Sequence, residues 1–112
     1  MQKDDVIRLR HMLDAAKDAT SFVRNKTRSS LDTDRQLVLS LVKSIEIVGE
    51  AAAHVSEKCF RDFPQIPWRD IIGMRNRLIH GYYDIDLDIV WKTVIEDLPP
   101  LIAELEEIIE VE

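Results

Sequence analysis

The sequence is poor in the residues that break helices or cross-link chains. It has three glycines, four prolines and one cysteine, Cys59, among 112 residues. A single cysteine excludes an intrachain disulfide and a cysteine-based zinc site, which suits a reducing compartment. So few glycines and prolines, beside 46% apolar residues, argue against a strand-and-turn architecture. We therefore expect an all-α fold, with residues 1–112 forming one domain around one core.

Long apolar runs are also missing. No stretch of about 18 uncharged apolar residues occurs, and residues 1–5 are polar or charged apart from the initial methionine. We expect a soluble, cytoplasmic protein that does not bind membranes.

Positive charge is scarce overall but locally concentrated. The net charge is −6, which argues against nonspecific binding along DNA or RNA, because Lys and Arg dominate phosphate binding. Residues 58–83 carry five basic and two acidic side chains, whereas residues 84–112 carry ten acidic side chains and one lysine. A local phosphate site in residues 58–83 is therefore plausible, and no DNA partner is expected.

The first two helices are predicted from apolar spacing and from their capping residues. Asp4 or Asp5 is expected to cap a first helix that ends near Asn25. Thr33 and Gln36 have the spacing of a capping box, which predicts the start of a second helix. That helix is expected to be central, because its apolar residues cover most of its circumference.

Proline and glycine predict the remaining boundaries. The central helix is expected to run to about Lys58, with residues 60–67 forming a loop. Pro67 should open a third helix, and Gly81 should end it. Two further apolar faces follow, with a kink or break at Pro99 and Pro100. The result is a compact bundle of four or five helices.

One short stretch of the third helix contains chemically useful side chains. Arg75, Asn76, His80 and Tyr82 lie within eight residues of each other. Arg75 follows Trp68 by seven residues, so a continuous helix would place it on the apolar stripe that faces the core. An unpaired charge there costs several kcal/mol, which makes Arg75 an anomaly.

The spacing of Arg75 and His80 restricts how they can cooperate. Five residues along a regular helix place the two side chains about 140° apart. Either the helix unwinds near His80, or a second copy of the chain completes the site. An imidazole can transfer a proton near neutral pH, and a guanidinium can bind phosphate oxygens. Together they suit attack of an RNA 2′-hydroxyl on its adjacent phosphate, with no metal required.

Structural interpretations are open for the same residues. Arg75 can neutralise Glu46 or Glu50 of the central helix, and His80 can interact with a helix dipole. The other polar residues of the stretch can pack a loop or face solvent. These are Asn76, Arg77, Tyr82 and Tyr83.

A polar stripe on the central helix suggests a competing site. Glu46, Glu50, His54 and Glu57 recur at helical spacing. A di-iron site would need Glu-x-x-His on two helices, and the sequence has none, so no metal is expected. The stripe is interpreted as paired, solvated, or an edge of the active cleft. His11 and Cys59 are expected to be structural.

The order Arg75-x4-His80-x-Tyr82, with Asn76 after the arginine, resembles the signature of the HEPN superfamily, specifically the HepT-like ribonuclease toxins. The resemblance extends over nearly the whole chain. It includes residues 47–51, 66–68, 73–76, 84–86 and 90–91.

This resemblance implies an all-α homodimer whose two motifs face a shared cleft. It implies a metal-independent endoribonuclease toxin without a cofactor, with Arg75 and His80 as the catalytic pair and Asn76 as a supporting polar residue. Glu50, Arg77 and Tyr83 are possible supporting residues.

It further implies an antitoxin partner, a minimal nucleotidyltransferase that transfers AMP to the motif tyrosine, Tyr82. An AMP group there would add negative charge and bulk where the RNA phosphate should lie. Tyr83 is adjacent, so either phenol can be the exposed acceptor.

Two alternatives stay open. The chain can be a non-catalytic HEPN module that presents a substrate to a nucleotidyltransferase partner, or a purely structural dimerising bundle.

Overall fold

The computed structural model describes residues 1–80 and 84–110 of the chain. The elements are α1 (Lys3–Phe22), α2 (Ser30–Thr33), α3 (Arg35–Ala53), α4 (Glu57–Asp62), α5 (Trp68–Ile72), α6 (Met74–Leu78), α7 (Leu87–Lys92), a π-helical segment (Thr93–Asp97) and α8 (Leu98–Glu110). The only strand-like pairing in the described residues is an isolated antiparallel bridge between Ile79 and Ile85. The predicted all-α class is confirmed.

Helix α3 is the centre of the fold, as its wide apolar face predicted. It packs against α1, α2, α5, α6 and α7, and α1 also packs against α8. Its buried residues form one broad face that covers about half of the helix circumference. They are Leu37, Val38, Leu41, Val42, Ser44, Ile45, Val48, Gly49, Ala51 and Ala52. None of the helices in the described residues is long and apolar enough to cross a membrane.

Both predicted N-terminal caps were wrong. Gln2 occupies the N-cap of α1, and Asp5 instead accepts hydrogen bonds from the Ser56 backbone N–H at 2.9 Å and hydroxyl at 2.7 Å. The N-cap of α3 is Asp34, whose carboxylate accepts from the Leu37 backbone N–H at 3.0 Å. The cap therefore lies one residue after Thr33, and it satisfies the amide of Leu37 rather than that of Gln36, which the predicted capping box would have satisfied.

The chain between α3 and α5 is more helical than predicted. Helix α3 ends at Ala53 rather than near Lys58. Ser56 then starts α4 by accepting a hydrogen bond from the Cys59 backbone N–H at 3.1 Å. Residues 60–62, which the sequence assigned to a loop, therefore form the end of α4.

The predicted third helix is divided in two. Gly73, with φ −85° and ψ 0°, separates α5 from α6. The predicted disturbance at Pro99 and Pro100 takes the form of the π-helical segment directly before α8. There the Leu98 backbone N–H bonds to the Thr93 carbonyl, five residues back. Prolines have no amide hydrogen for the α-helical ladder, so the chain crosses this point with a wider turn.

Candidate active site

Arg75 lies on the surface of α6, not in the core, so the predicted inward orientation was wrong. The break at Gly73 ends the helical register that begins at Trp68. Met74 and Leu78 are the residues of α6 that are buried, at 3% and 0% exposure. Because those two anchor the helix, the side chain of Arg75 projects outward and is half exposed.

Arg75 is paired with a carboxylate of the central helix. Its Nε donates a hydrogen bond to Glu46 Oε2 at 3.1 Å. Of the two carboxylates that the sequence offered for this structural interpretation, the structure selects Glu46. Lys43 Nζ lies 3.9 Å from the other Glu46 oxygen. An ion pair this exposed contributes about 0–1 kcal/mol, so an incoming phosphate can compete for the guanidinium.

His80 lies beyond the end of α6. This agrees with one of the two alternatives that the spacing of Arg75 and His80 allowed, in which the helix unwinds near His80. Helix α6 ends at Leu78, and Ile79 is extended with φ −118° and ψ 114°. The His80 backbone N–H then donates to the Asp84 carbonyl at 2.7 Å. Residues 84–86 therefore lie beside residues 78–80, and the isolated bridge between Ile79 and Ile85 joins these two segments.

The contact between these two segments places Asp86 beside His80. The Asp86 backbone N–H donates to the Leu78 carbonyl at 2.7 Å, and its carboxylate Oδ2 lies 3.4 Å from His80 Nε2. The carboxylate Oδ1 accepts from the Ile89 backbone N–H at 3.1 Å, so Asp86 is also the N-cap of α7. The hydrogen bond from Ile89, followed by the one from His80, lowers the pKa of Asp86 below its ordinary value.

The sequence interpretation missed Asp86 as a functional candidate. One signal was available, because an aspartate three residues before an apolar helical residue is a typical N-cap. That signal predicts the start of α7. It does not predict the contact with His80, which depends on residues 84–86 lying beside residues 78–80.

Asn76 and Arg77 differ from Arg75 in their surroundings. Asn76 is exposed on α6. Arg77 is also exposed, and its Nη1 donates to the Asp70 carbonyl at 3.0 Å. Arg77 lines a groove of about 590 Å³ whose charged residues are otherwise acidic. Those acidic residues are Asp70, Glu96, Asp97 and Glu104.

Glu50 is exposed one turn after Glu46 on α3. It lines a small groove of about 220 Å³ with Arg8, His11 and His54. The His54 ring Nδ1 hydrogen-bonds the Glu50 backbone carbonyl at 2.7 Å, which ties the imidazole to its own helix. Within residues 1–80 and 84–110, no three His, Cys, Asp or Glu side chains cluster in a way that could hold a metal ion.

Tyr82 and Tyr83, with Gly81, lie outside the described residues. The assignment of Tyr82 as AMP acceptor therefore stays a prediction. The prediction that the helix continues to Gly81 was wrong. Helix α6 has already ended at Leu78.

A comparison with known protein families identifies the family of this chain. The model of the family described as Ribonuclease HepT-like matches residues 12–108. The chain belongs to the HepT-like ribonuclease family.

Relatives named as ribonucleases match over most of their length. The chain is 33% identical over 107 residues to a Methanocaldococcus jannaschii protein named "Putative RNase MJ1380", covering 95% of this chain and 98% of that protein. It is 34% identical over 110 residues to "Putative RNase MJ0127" of the same organism, covering 97% and 91%. It is 32% identical over 100 residues to "Probable ribonuclease HepT" of Thermococcus cleftensis, covering 89% and 91%. No solved structure matches the chain significantly.

Proposed function

We propose that this HepT-like protein is a metal-independent endoribonuclease and the toxin of a toxin–antitoxin pair. The observation that carries the proposal is the surface formed by α6 and by residues 79–80 and 84–86 beside it. Arg75 and His80 are both about half exposed there, and each contacts a carboxylate, Glu46 or Asp86. The family and the names of the relatives support RNA as the substrate.

The proposed reaction divides the work between these two side chains. His80 accepts the proton of an RNA 2′-hydroxyl, and the freed oxygen attacks the adjacent phosphorus. The bond to the 5′-oxygen breaks, and that oxygen leaves with a proton. The products are a 2′,3′-cyclic phosphate and a 5′-hydroxyl. Arg75 exchanges its weak contact with Glu46 for the phosphoryl oxygens, where charge accumulates in the transition state.

The active form is proposed to be a homodimer. Arg75 and His80 bind different carboxylates within one chain, and both remain open to solvent. A second copy facing this surface would bring a second pair of groups to the same RNA phosphate. Asn76, exposed between them in the sequence, is proposed to bind the RNA or the second copy.

Inactivation is proposed to come from a minimal nucleotidyltransferase. The phenol oxygen of Tyr82 would attack the α-phosphorus of ATP, with pyrophosphate as the leaving group and the phenolic proton released. The AMP group would then place negative charge within two residues of His80 and repel RNA. Intact mass after incubation with the partner and ATP tests this step. Loss of labelling in Tyr82→Phe supports Tyr82, and undiminished labelling identifies another acceptor such as Tyr83.

Cleavage of labelled RNA by matched variants tests the nuclease proposal. His80→Ala is expected to lower the rate by about 10²–10⁴-fold, the usual contribution of a general acid or base. Arg75→Ala is expected to lower it by about 10²–10³-fold through lost charge stabilisation. The controls are His11→Ala and Arg61→Ala, exposed residues of α1 and α4. Equal activity of His80→Ala and His11→Ala would exclude His80 from proton transfer.

A further inference from the structure

Asp86 is held by several hydrogen bonds, and one of its partners is the imidazole of His80. Its backbone N–H bonds to the Leu78 carbonyl at 2.7 Å, and its Oδ1 accepts from the Ile89 N–H at 3.1 Å. Its second oxygen, Oδ2, lies 3.4 Å from His80 Nε2. The first two bonds fix Asp86 against the end of α6 and the start of α7. The remaining oxygen is therefore a fixed acceptor for the histidine.

The charge state of Asp86 determines what His80 must present to it. The hydrogen bond from Ile89 lowers the pKa of Asp86, so the side chain is an ionised carboxylate near neutral pH. An ionised carboxylate only accepts hydrogen bonds. A neutral His80 that bonds to it must therefore carry its proton on Nε2, which leaves Nδ1 as the nitrogen with a free lone pair.

We propose that Asp86 is a positioning residue that holds His80 with Nε2 bound and directs Nδ1 toward the RNA. The side chain of His80 is 48% exposed, so part of the imidazole is accessible to solvent while Nε2 contacts Asp86. The catalytic part of this proposal rests on the proposed ribonuclease function. The tautomer assignment does not, because it follows from the contact alone.

In the reaction, Nδ1 takes the proton of the 2′-hydroxyl as the oxygen attacks phosphorus. The resulting imidazolium is doubly protonated, and its positive charge faces the carboxylate of Asp86. Nδ1 then returns the proton to the departing 5′-oxygen, so His80 ends neutral. The function of Asp86 is to hold the neutral ring with its proton on Nε2 before the reaction and to stabilise the imidazolium that forms during it.

Asp86→Asn separates this role from the structural role of the same residue. Asparagine is as good an N-cap as aspartate, so its oxygen can keep the bond from Ile89 and the start of α7. Its amide NH₂ can then face His80 Nε2, which favours the tautomer with the proton on Nδ1. Asp86→Ser is the second variant, because serine also caps helices but is too short to reach the imidazole.

The matched control is Asp88→Asn, the same change two residues later. Asp88 also lies in the first turn of α7, but its carboxylate pairs with Arg28 at 2.6 Å rather than with His80. Asp88→Asn thus removes the same charge from the same helix end without changing a contact of the imidazole.

Two readouts test the proposal. Nitrogen NMR of ¹⁵N-histidine protein, with the His80 signals assigned by His80→Ala, is expected to show Nε2–H in the wild type and in Asp88→Asn. Asp86→Asn and Asp86→Ser are expected to lose this preference. In RNA cleavage, both Asp86 variants are expected to lower kcat by about 10-fold with little change in KM. Residues that hydrogen-bond a functional side chain typically contribute about 10–100-fold, and the lower value is expected because this pair is exposed. Asp88→Asn is expected to stay within about twofold of the wild type.

Each outcome has one meaning. An unchanged His80 tautomer in both Asp86 variants would overturn the proposal, as would a shifted tautomer with an unchanged kcat. A wild-type protein that cuts no RNA would refute the proposed function instead. In that case the tautomer measurement alone decides whether Asp86 positions His80.

Discussion

Helices α3 and α5 approach each other closely at Gly49, so a single added methyl group there is expected to change the stability of the protein. Gly49 is buried on α3, and a Cβ added there would lie 3.2 Å from the Ile71 carbonyl oxygen and 3.5 Å from the Ile72 carbonyl oxygen. Both obstacles are backbone atoms of α5. A side chain could rotate away, but these oxygens can move only if α5 moves.

Two opposing effects determine how Gly49→Ala changes the free energy of unfolding. Alanine stabilises a helix interior by about 1 kcal/mol relative to glycine. Overpacking a well-packed interior costs about 1–3 kcal/mol. Because rigid backbone provides the contact at 3.2 Å, we expect the cost to exceed the gain. The variant should be less stable by about 1 kcal/mol, which corresponds to a fall in Tm of about 4 °C for a domain of this size.

Gly73→Ala is the matched control, because it makes the same chemical change without the close contact. A Cβ at Gly73 would lie 3.4 Å from the Arg69 carbonyl oxygen and 3.9 Å from Arg77 Nη1. The backbone there has φ −85°, which alanine adopts readily. This variant should be unchanged or more stable by about 0.4–1 kcal/mol, because alanine restricts the unfolded chain.

Urea unfolding followed by circular dichroism measures both free energies of unfolding. We expect the free energy of unfolding to fall in Gly49→Ala and to stay unchanged or rise in Gly73→Ala. If Gly49→Ala is as stable as Gly73→Ala, the packing of α3 on α5 is looser than described. Because α6 follows α5 after one residue, RNA cleavage by Gly49→Ala also reports whether that packing positions Arg75.

Three further predictions concern Asp5, Asp86 and Cys59. Asp5→Ala removes the acceptor of two hydrogen bonds from Ser56 and should lower the free energy of urea unfolding by about 2–3 kcal/mol, whereas the exposed Asp4→Ala should have little effect. The pKa of Asp86 is lowered from 3.8, so its unfolded carboxyl binds a proton before the folded one does and stability falls as the pH drops below about 4. Unfolding measured across that range should be less pH-dependent in Asp86→Asn, and an equal slope would contradict the assignment. Burial raises the pKa of the Cys59 thiol to about 11, so thiol reagents at neutral pH should label it only as the chain unfolds; rapid labelling of the native protein would contradict this.

The fold class could be predicted because the helical spacing of apolar residues can be read from short stretches of sequence, and the same residues form the core. The wide apolar face of α3 correctly predicted a central helix. Interruptions were harder to predict, since Gly73 interrupts a helical pattern without a proline or a polar cluster to mark it. Asp5 was assigned to a cap because its partner, Ser56, lies 51 residues away and no local rule connects them.

The candidate site was predictable in its residues but not in its geometry. The interruption at Gly73 turned Arg75 from the expected core position to the surface, where Glu46 binds it. The end of the helix before His80 was one of two alternatives that the spacing allowed. The contact with Asp86 could not be read from the sequence, because it depends on residues 84–86 lying beside residues 78–80.

The ends of the cut RNA test the central claim most directly. Purified protein should cleave a synthetic RNA in excess EDTA, and mass spectrometry should find a 2′,3′-cyclic phosphate on one fragment and a 5′-hydroxyl on the other. These ends are the products of 2′-hydroxyl attack with protein groups alone. Fragments that carry a 3′-hydroxyl and a 5′-phosphate, or cleavage that EDTA abolishes, would contradict the proposed roles of Arg75 and His80.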